Sequence, residues 1–411
     1  MKLFDRHAPG VISCKLLARS GVSRMFSSTR LLAIACFVAC SSAASARSDE
    51  TPIFDGKKPA EWRELLQEDA SARKRALAAS AIGELRLKFP ASNEVKLLIK
   101  DLGRSLRVDS SVAVRVQCVT VIATLKLEDV KALESEIIEA LKVEKESRVR
   151  KELAVLLARF PEIAKRAVGA LGTVLKDTDA TARTAAADAL AKLGPDAKEA
   201  ATDLLPLLDD ADKLARHAAI FALGRIAPDN ASFVAAALIK RFGEEKEAEL
   251  RRDIIVSLKL IDDRSEATIA ALARALADPE DEVKKAAAVS LGAFGSASKP
   301  AIEQLLKLAM ESKDKGLRID AVRAFGSALG PDLKARLKDV IQIMENDAEF
   351  EVRLAAVEEI AALGTELKDD KDTIAALRKR QSDPQVKVRE AAAVAIRRIE
   401  KKLEKPADKK P

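Results

Sequence analysis

Ten times along this chain, at intervals of 33 to 40 residues, a basic residue is followed seven positions later by a large apolar one. The basic residues are Arg75, Arg115, Arg150, Arg183, Arg216, Arg251, Lys284, Arg318, Arg353 and Arg389. Their followers run from Ile82, Ile122 and Leu157 to Phe325, Ile360 and Ile396. The third residue after each basic one is small or apolar, as at Ala78, Cys118, Ala186, Ala219 and Ala287, and the fourth is always apolar. Positions three, four and seven share one side of a helix, so the pattern predicts an amphipathic helix in every unit. A repeat of this length predicts a solenoid, in which each unit hides its apolar side against the next.

Six residues before the basic position stands an acid, namely Asp69, Asp109, Glu144, Asp177, Asp210, Glu245, Asp278, Asp347 or Asp383; Ser312 is the one departure. An acid placed in the turn before a helix accepts backbone N–H groups and favours the positive end of the dipole. The planar guanidinium that follows suits a bidentate bond to such an acid, in its own unit or a neighbouring one, which predicts a ladder of polar ties. Pro90, Pro161, Pro195, Pro228, Pro300 and Pro331 are predicted to open first helices, where a missing N–H costs nothing. Gly194 and Gly330 precede two of them and are predicted to close the helix before. Each unit thus reads as helix, turn, helix, short loop, and the fold class is all-α.

The units, typified by Asp278-Pro279-Glu280-Asp281-Glu282-Val283-Lys284-Lys285-Ala286-Ala287-Ala288-Val289-Ser290-Leu291-Gly292, resemble HEAT repeats. They are similar to the short bacterial type also found in phycobilisome-lyase-like proteins. The resemblance covers residues 59 to 402 and is weakest in the first unit and the unit at Arg115. It implies an α-α superhelix, a right-handed solenoid of about ten helix-turn-helix repeats with the second helices on the concave side.

The flanks read differently. Arg24 and Arg30 precede an apolar run from Leu31 to Cys40, and small residues follow up to Ala44-Ser45-Ala46, so residues 1–46 read as a secretory signal cleaved after Ala46. Met25 is an alternative start. Two other readings stand beside export to a periplasmic or extracellular space. The Arg- and Ser-rich, acid-poor first 30 residues fit organelle import, and Phe37-Val38-Ala39-Cys40 loosely resembles a lipoprotein site, with a lipid anchor on Cys40. Residues 47–58 read as a lead-in, and Trp62, Leu65 and Leu66 as part of a capping helix. Residues 403–411, rich in Lys and Pro, read as a solvated tail.

Composition changes the picture once the leader is set aside. The whole chain carries a net charge of +7, but Lys2, Arg6, Lys15, Arg19, Arg24 and Arg30 leave with the leader against Asp5 alone. The remainder holds 65 basic and 63 acidic residues, which is not the excess of a general nucleic-acid binder. Cys118 and His217 are then the last cysteine and histidine. Cys118 fills a slot taken elsewhere mostly by Ala and reads as a small core residue rather than a reactive thiol. His217 has no second histidine to complete a metal or acid–base site, which excludes a di-iron hydroxylase of the HEAT type. The cluster Asp369-Asp370-Lys371-Asp372 lacks the other ligands of a calcium loop. No catalytic, cofactor or metal residue is predicted.

One column points outward. The fifth position after the basic residue lies opposite the apolar stripe; Ser80, Thr120, Asp188, Arg323 and Glu358 are polar there, whereas Val155, Phe221, Val256, Val289 and Val394 are not. Phe221, Val256 and Val289 are consecutive, and the reading left open is an apolar strip in a groove, with Arg252 and Lys285 at its rim and His217 as a partner contact, or ordinary core. The function predicted is an exported, non-enzymatic scaffold that holds a protein or peptide partner on its concave face. The alternatives are an enzyme or enzyme subunit of the lyase-like branch, such as one handling a tetrapyrrole, and a structural element of the cell envelope.

Overall fold

A computed structural model describes residues 52–226 and 231–400. The leader with Met25 and Cys40, Pro228, and the 403–411 tail lie outside the described residues, as does the start of the lead-in. All described residues belong to one contact unit, Thr51–Pro411.

Ten helix pairs follow one another. The second helices, which carry the basic residues, are Ala72–Lys88, Val112–Ile122, Ser147–Arg159, Ala180–Leu193, Lys213–Ile226, Ala248–Ile261, Asp281–Phe294, Lys315–Leu329, Phe350–Ala362 and Val386–Glu400. Positions three, four and seven are buried in them as the stripe demands, save the half-buried Ala393 of the last unit, with Ala186, Ala219, Leu223, Ala287 and Leu291 all fully enclosed. Small third residues let helix axes close up. Second helices of adjacent units lie against one another along the array, while first helices meet less closely. The array therefore bends toward its second-helix side, which forms the inner wall.

The first helices are less regular than the sequence suggests. Those of the first, second, sixth and seventh units are continuous, at Pro59–Glu68, Asn93–Val108, Ser232–Glu244 and Glu266–Ala275. In the fourth unit the element breaks into Pro161–Ala164, a 3-10 turn and Val168–Val174. In the fifth it is almost wholly 3-10, from Gly194 to Asp209 around a four-residue α-turn. Pro206 removes a donor there, and Ala197 leaves helical geometry (φ −104°, ψ 16°). Gly194 and Gly330 close the preceding helices at φ of +55° and +54°, a region costly for a side chain. Pro161, Pro195 and Pro331 stand at first-helix openings, but Pro90 does not: it sits in the turn before Asn93–Val108 and its carbonyl accepts a bond from the Arg86 guanidinium.

At the N-terminal end Asp55 and Gly56, both at positive φ, make a two-residue turn closed by paired bonds between Phe54 and Lys57 of 3.0 Å each. Trp62 packs beneath it, 2% exposed, and its Nε1 donates to the Phe54 carbonyl at 3.1 Å. The expected capping helix is the first helix of the first unit.

One position escaped the sequence pattern. The sixth residue after the basic one is small or apolar in nine units, yet in the ninth it is Glu359. It packs against bare Gly326 of the eighth unit, where an added Cβ would overlap the Glu359 carboxylate. Burial pushes this carboxyl up to about 7, against a smaller opposing pull from Arg323.

Candidate protein-binding surface

The ladder exists and has a direction. In eight units the arginine grips the carboxylate of the next unit, while its Nη1 donates to the carbonyl six residues before it, that of the acid in seven of them and of Ser312 for Arg318. Arg75 Nε and Nη2 lie 2.7 and 2.9 Å from the Asp109 oxygens, and Nη1 donates to the Asp69 carbonyl at 2.9 Å. Arg353 repeats this on Asp383, with both fork bonds at 2.9 Å. The same pairing joins Arg115 to Glu144, Arg183 to Asp210, Arg216 to Glu245, Arg251 to Asp278 and Arg318 to Asp347. Arg150 reaches Asp177 with its Nε, and Ser147 completes that rung by donating to the second oxygen.

The acids end the first helices rather than beginning the second. Asp109, Glu144, Asp210, Glu245 and Asp347 are C-cap residues, and their carboxylates accept the N–H two residues on, turning the chain. Burial alone raises a carboxyl pKa, but here the guanidinium and the backbone N–H outweigh it. Asp109, Glu144, Asp177, Asp210, Asp278 and Asp383 are held below the usual carboxylate range. Glu245, bound by the Glu247 N–H, Arg241 and Arg216, falls to about 2.

Lys284 does not join the ladder. Its unit is the one with lysine in place of arginine, and the next carries Ser312 in place of the acid. Lys284 turns instead to Asp281 in its own helix, at 2.7 Å. A cleft of about 500 Å³ lies where the rung would be, lined by Leu276, Leu308, Lys307 and Lys313 among others. Arg389, in the last unit, keeps only the carbonyl half of the pattern, on Asp383 and Pro384. Converting the gap to a rung with Lys284→Arg and Ser312→Asp together should raise stability by about 1 kcal/mol, because a charged bidentate pair at a partly exposed site adds little more. Urea unfolding of both single variants and the double variant checks this through the coupling between the two changes.

The inner wall carries the outward column. Phe221 is 44% and Val289 45% exposed, and Val256 is half-buried. Val155 at 48% and Leu214 at 65% join Phe221 in lining a hollow of about 580 Å³ across the third, fourth and fifth units. Thr181, Thr184 and Ala185 form its floor, with Lys151, Lys192 and Asp188 around it. The Arg225 guanidinium lies 5.5 Å from the Phe221 ring and donates through Nε to the Ala191 carbonyl at 2.9 Å. The contribution of Leu214 was missed because it lies two residues before the basic position, a column not compared across units.

The proposed rim is partly tied up. Arg252 clamps Asp253 with Nε and Nη2 at 3.1 and 2.8 Å, and Lys285 lies 3.4 Å from both Glu282 and Asp314. His217 Nε2 stands 3.2 Å from Asp253 Oδ2, a contact that becomes an ion pair when the ring is protonated. Asp188 is reached by water yet ringed by the wall, and lost solvation pushes its carboxyl up despite nearby His217 and Lys192. Cys118 is fully enclosed, and burial drives its thiol up to about 12, the opposite of an activated nucleophile. Asp370 caps the helix Lys371–Arg380 by accepting the Thr373 N–H at 2.9 Å. Among the described residues no group of three or more His, Cys, Asp or Glu is placed to hold a metal, and no helix is long and apolar enough to cross a membrane.

Comparison with known proteins bears on the architecture. A family model described as HEAT repeats matches residues 134–224, 235–326 and 337–409, more than half of the chain. It begins in the third unit; the first two carry the same helix pair outside it. The match is to HEAT repeats in general and does not single out the phycobilisome-lyase-like type. No curated protein matches. Among solved structures, an engineered protein is 22% identical with a TM-score of 0.53, over 83% of this chain and 98% of the other. A chain from the structure of Kap95p bound to RanGDP is 15% identical with a TM-score of 0.60 over 90% of this chain, which spans about half of it, 54%. At these identities the likeness is one of fold.

Proposed function

The chain belongs to the HEAT-repeat family, and from that premise we propose that it is an exported, non-enzymatic scaffold that holds a protein segment against its inner wall. The observation that carries the proposal is the apolar hollow formed by Val155, Leu214 and Phe221, since large apolar groups left in contact with water on a concave wall mark a binding surface. Val289 extends the strip, with Val256 between. Arg252, Lys285 and His217, engaged with neighbouring acids, hold the wall in shape and meet the partner at their remaining faces. A wall fixed by eight rungs is preformed, so a partner binds it without a large cost in ordering the scaffold. The fold of the Kap95p chain, from a protein that binds RanGDP, supports a protein as the partner class.

Export rests on the leader of residues 1–46, and mass spectrometry of the native N-terminus tests it, with cleavage after Ala46 as the expected result. For the binding surface, the full chain and a Leu214→Ser, Phe221→Ser variant are compared as baits on the native envelope fraction. The variant should keep its helical circular dichroism and lose its specifically retained partner about tenfold, the effect of removing two anchors worth over 1 kcal/mol together. Equal retention by both baits sinks the proposal.

A further inference from the structure

The hollow at Phe221 also carries a chemical preference. The ninth position after the basic residue is Arg159, Lys192 and Arg225 in the third, fourth and fifth units, and Leu260, Ala293, Ser327 and Ala362 in the next four. Cations near a helix C-terminus are favoured by the dipole, but that reason applies to every unit, and only the three that build the hollow carry them in succession. This column stands one helical turn from the column of Val155 and Phe221, on the same side of its helices. All three cations are exposed, and among the described residues no acid is ion-paired to any of them: Arg225 bonds to a carbonyl, and Arg159 lies 5.8 Å from the Phe160 ring. Lys151 lines the hollow from the other side. Against these stand Asp188, which favours its neutral form more than an ordinary aspartate does, and Asp212, whose Oδ1 is used by the N–H groups of Leu214 and Ala215. Farther along the wall the balance changes, because Glu249 is held by Lys213, Glu351 by Lys315, and Lys285 by Glu282 and Asp314.

We infer that the segment held in this hollow is acidic and extended, with carboxylates meeting the column Arg159, Lys192, Arg225 and apolar side chains set between Val155, Leu214 and Phe221. The inference rests on the groove reading above and adds the class of the ligand. Packed helices stand about 8–10 Å apart, and a chain extended as polyproline II rises about 3.1 Å per residue with three residues per turn, so every third side chain returns to the same side. One carboxylate at every third residue therefore keeps step with one cation per unit. Such contacts chiefly set specificity and rate of encounter, and they weaken with salt.

The test uses the full chain and two fluorescein-labelled synthetic peptides, read by fluorescence anisotropy. One carries glutamate at every third position with leucine and serine between; the other has glutamine in place of glutamate. The acidic peptide should bind with an affinity that falls as salt is raised. Glutamine should weaken binding by about tenfold or more, as should Arg159→Glu with Lys192→Glu in a protein that keeps its circular dichroism. If the glutamine peptide binds equally well and Phe221→Ser abolishes both, the groove stands and the acidic preference is wrong. If the charge-reversed protein binds the acidic peptide unchanged, the basic column is not the contact and the inference fails. If neither peptide binds, both readings fall.

Discussion

Replacing Asp383 by Ala should cost about 3–5 kcal/mol of local stability, the range expected when one member of a buried ion pair is removed and the other is left without a partner. The side chains of Asp383 and Arg353 are 0% and 10% exposed, and the lost carboxylate also ends bonds from the Gln385 N–H and from Arg380. In a stacked array the damage falls where the rung is, because each unit contacts only its neighbours. Trp62, the single tryptophan, reports on the opposite end. Urea unfolding followed by circular dichroism should therefore gain an early step, while tryptophan fluorescence keeps its midpoint. Asp109→Ala, in the rung nearest Trp62, should move the fluorescence transition instead. Coincident shifts in both signals for Asp383→Ala would mean that the array unfolds as one body.

Acid should dissolve the same ladder. A carboxylate whose folded pKa is depressed adds stability that is fully present above its unfolded value and is lost as pH falls through the folded one. For Asp109, Glu144, Asp177, Asp210, Glu245, Asp278 and Asp383 that window opens near pH 4, and for Glu245 it extends down to about 2. Glu245 alone accounts for about 3 kcal/mol before screening, since its carboxyl falls from 4.5 to about 2 and each tenfold change in proton affinity is worth about 1.4 kcal/mol. Glu359 acts with the opposite sign. Its folded pKa of about 7 lies above the usual glutamate value, so the native state holds a proton that the unfolded chain has released, and stability declines as pH rises from 5 to 8. Melting temperatures across pH 2 to 8 should thus peak near pH 5 and collapse below 4. Glu359→Gln should flatten the alkaline side without moving the acid limb. A flat profile from pH 5 to 2 would show that the rungs contribute no net stability.

The stripe, the period and the two residue columns of the ladder were legible in the chain because each recurs, and recurrence averages out local accidents. What was not legible is what occurs once. The direction of the rungs needs three dimensions, since Asp109 is 6 residues from Arg115 and 34 from Arg75, yet it is Arg75 that grips its carboxylate. The broken first helix of the fifth unit follows from local geometry at Pro206 that the repeat pattern masks, whereas the break at Lys165–Ala167 in the fourth has no proline to mark it. Lys284 and Ser312 were visible as separate departures, but only the fold places them opposite each other as one missing contact. Glu359 was equally visible, as the one charge in a column of small and apolar residues, and its meaning depends on Gly326 in the unit before. At the proposed binding surface, the fifth-position column named Phe221 and Val289, which the fold leaves exposed. It did not find Leu214, and it did not reveal that Arg252 and Lys285 are engaged by neighbouring acids.

Eight times, a unit hands a guanidinium forward to the carboxylate of the unit ahead. A segment of one repeat length excised from the regular part of the gene, or copied into it, would leave every surviving charge with a mate, because donor and acceptor travel together. Length can then change by whole modules without any compensating mutation at the join, and the inner wall lengthens or shortens with it. Gene duplication thereby becomes a way of setting the length of that wall.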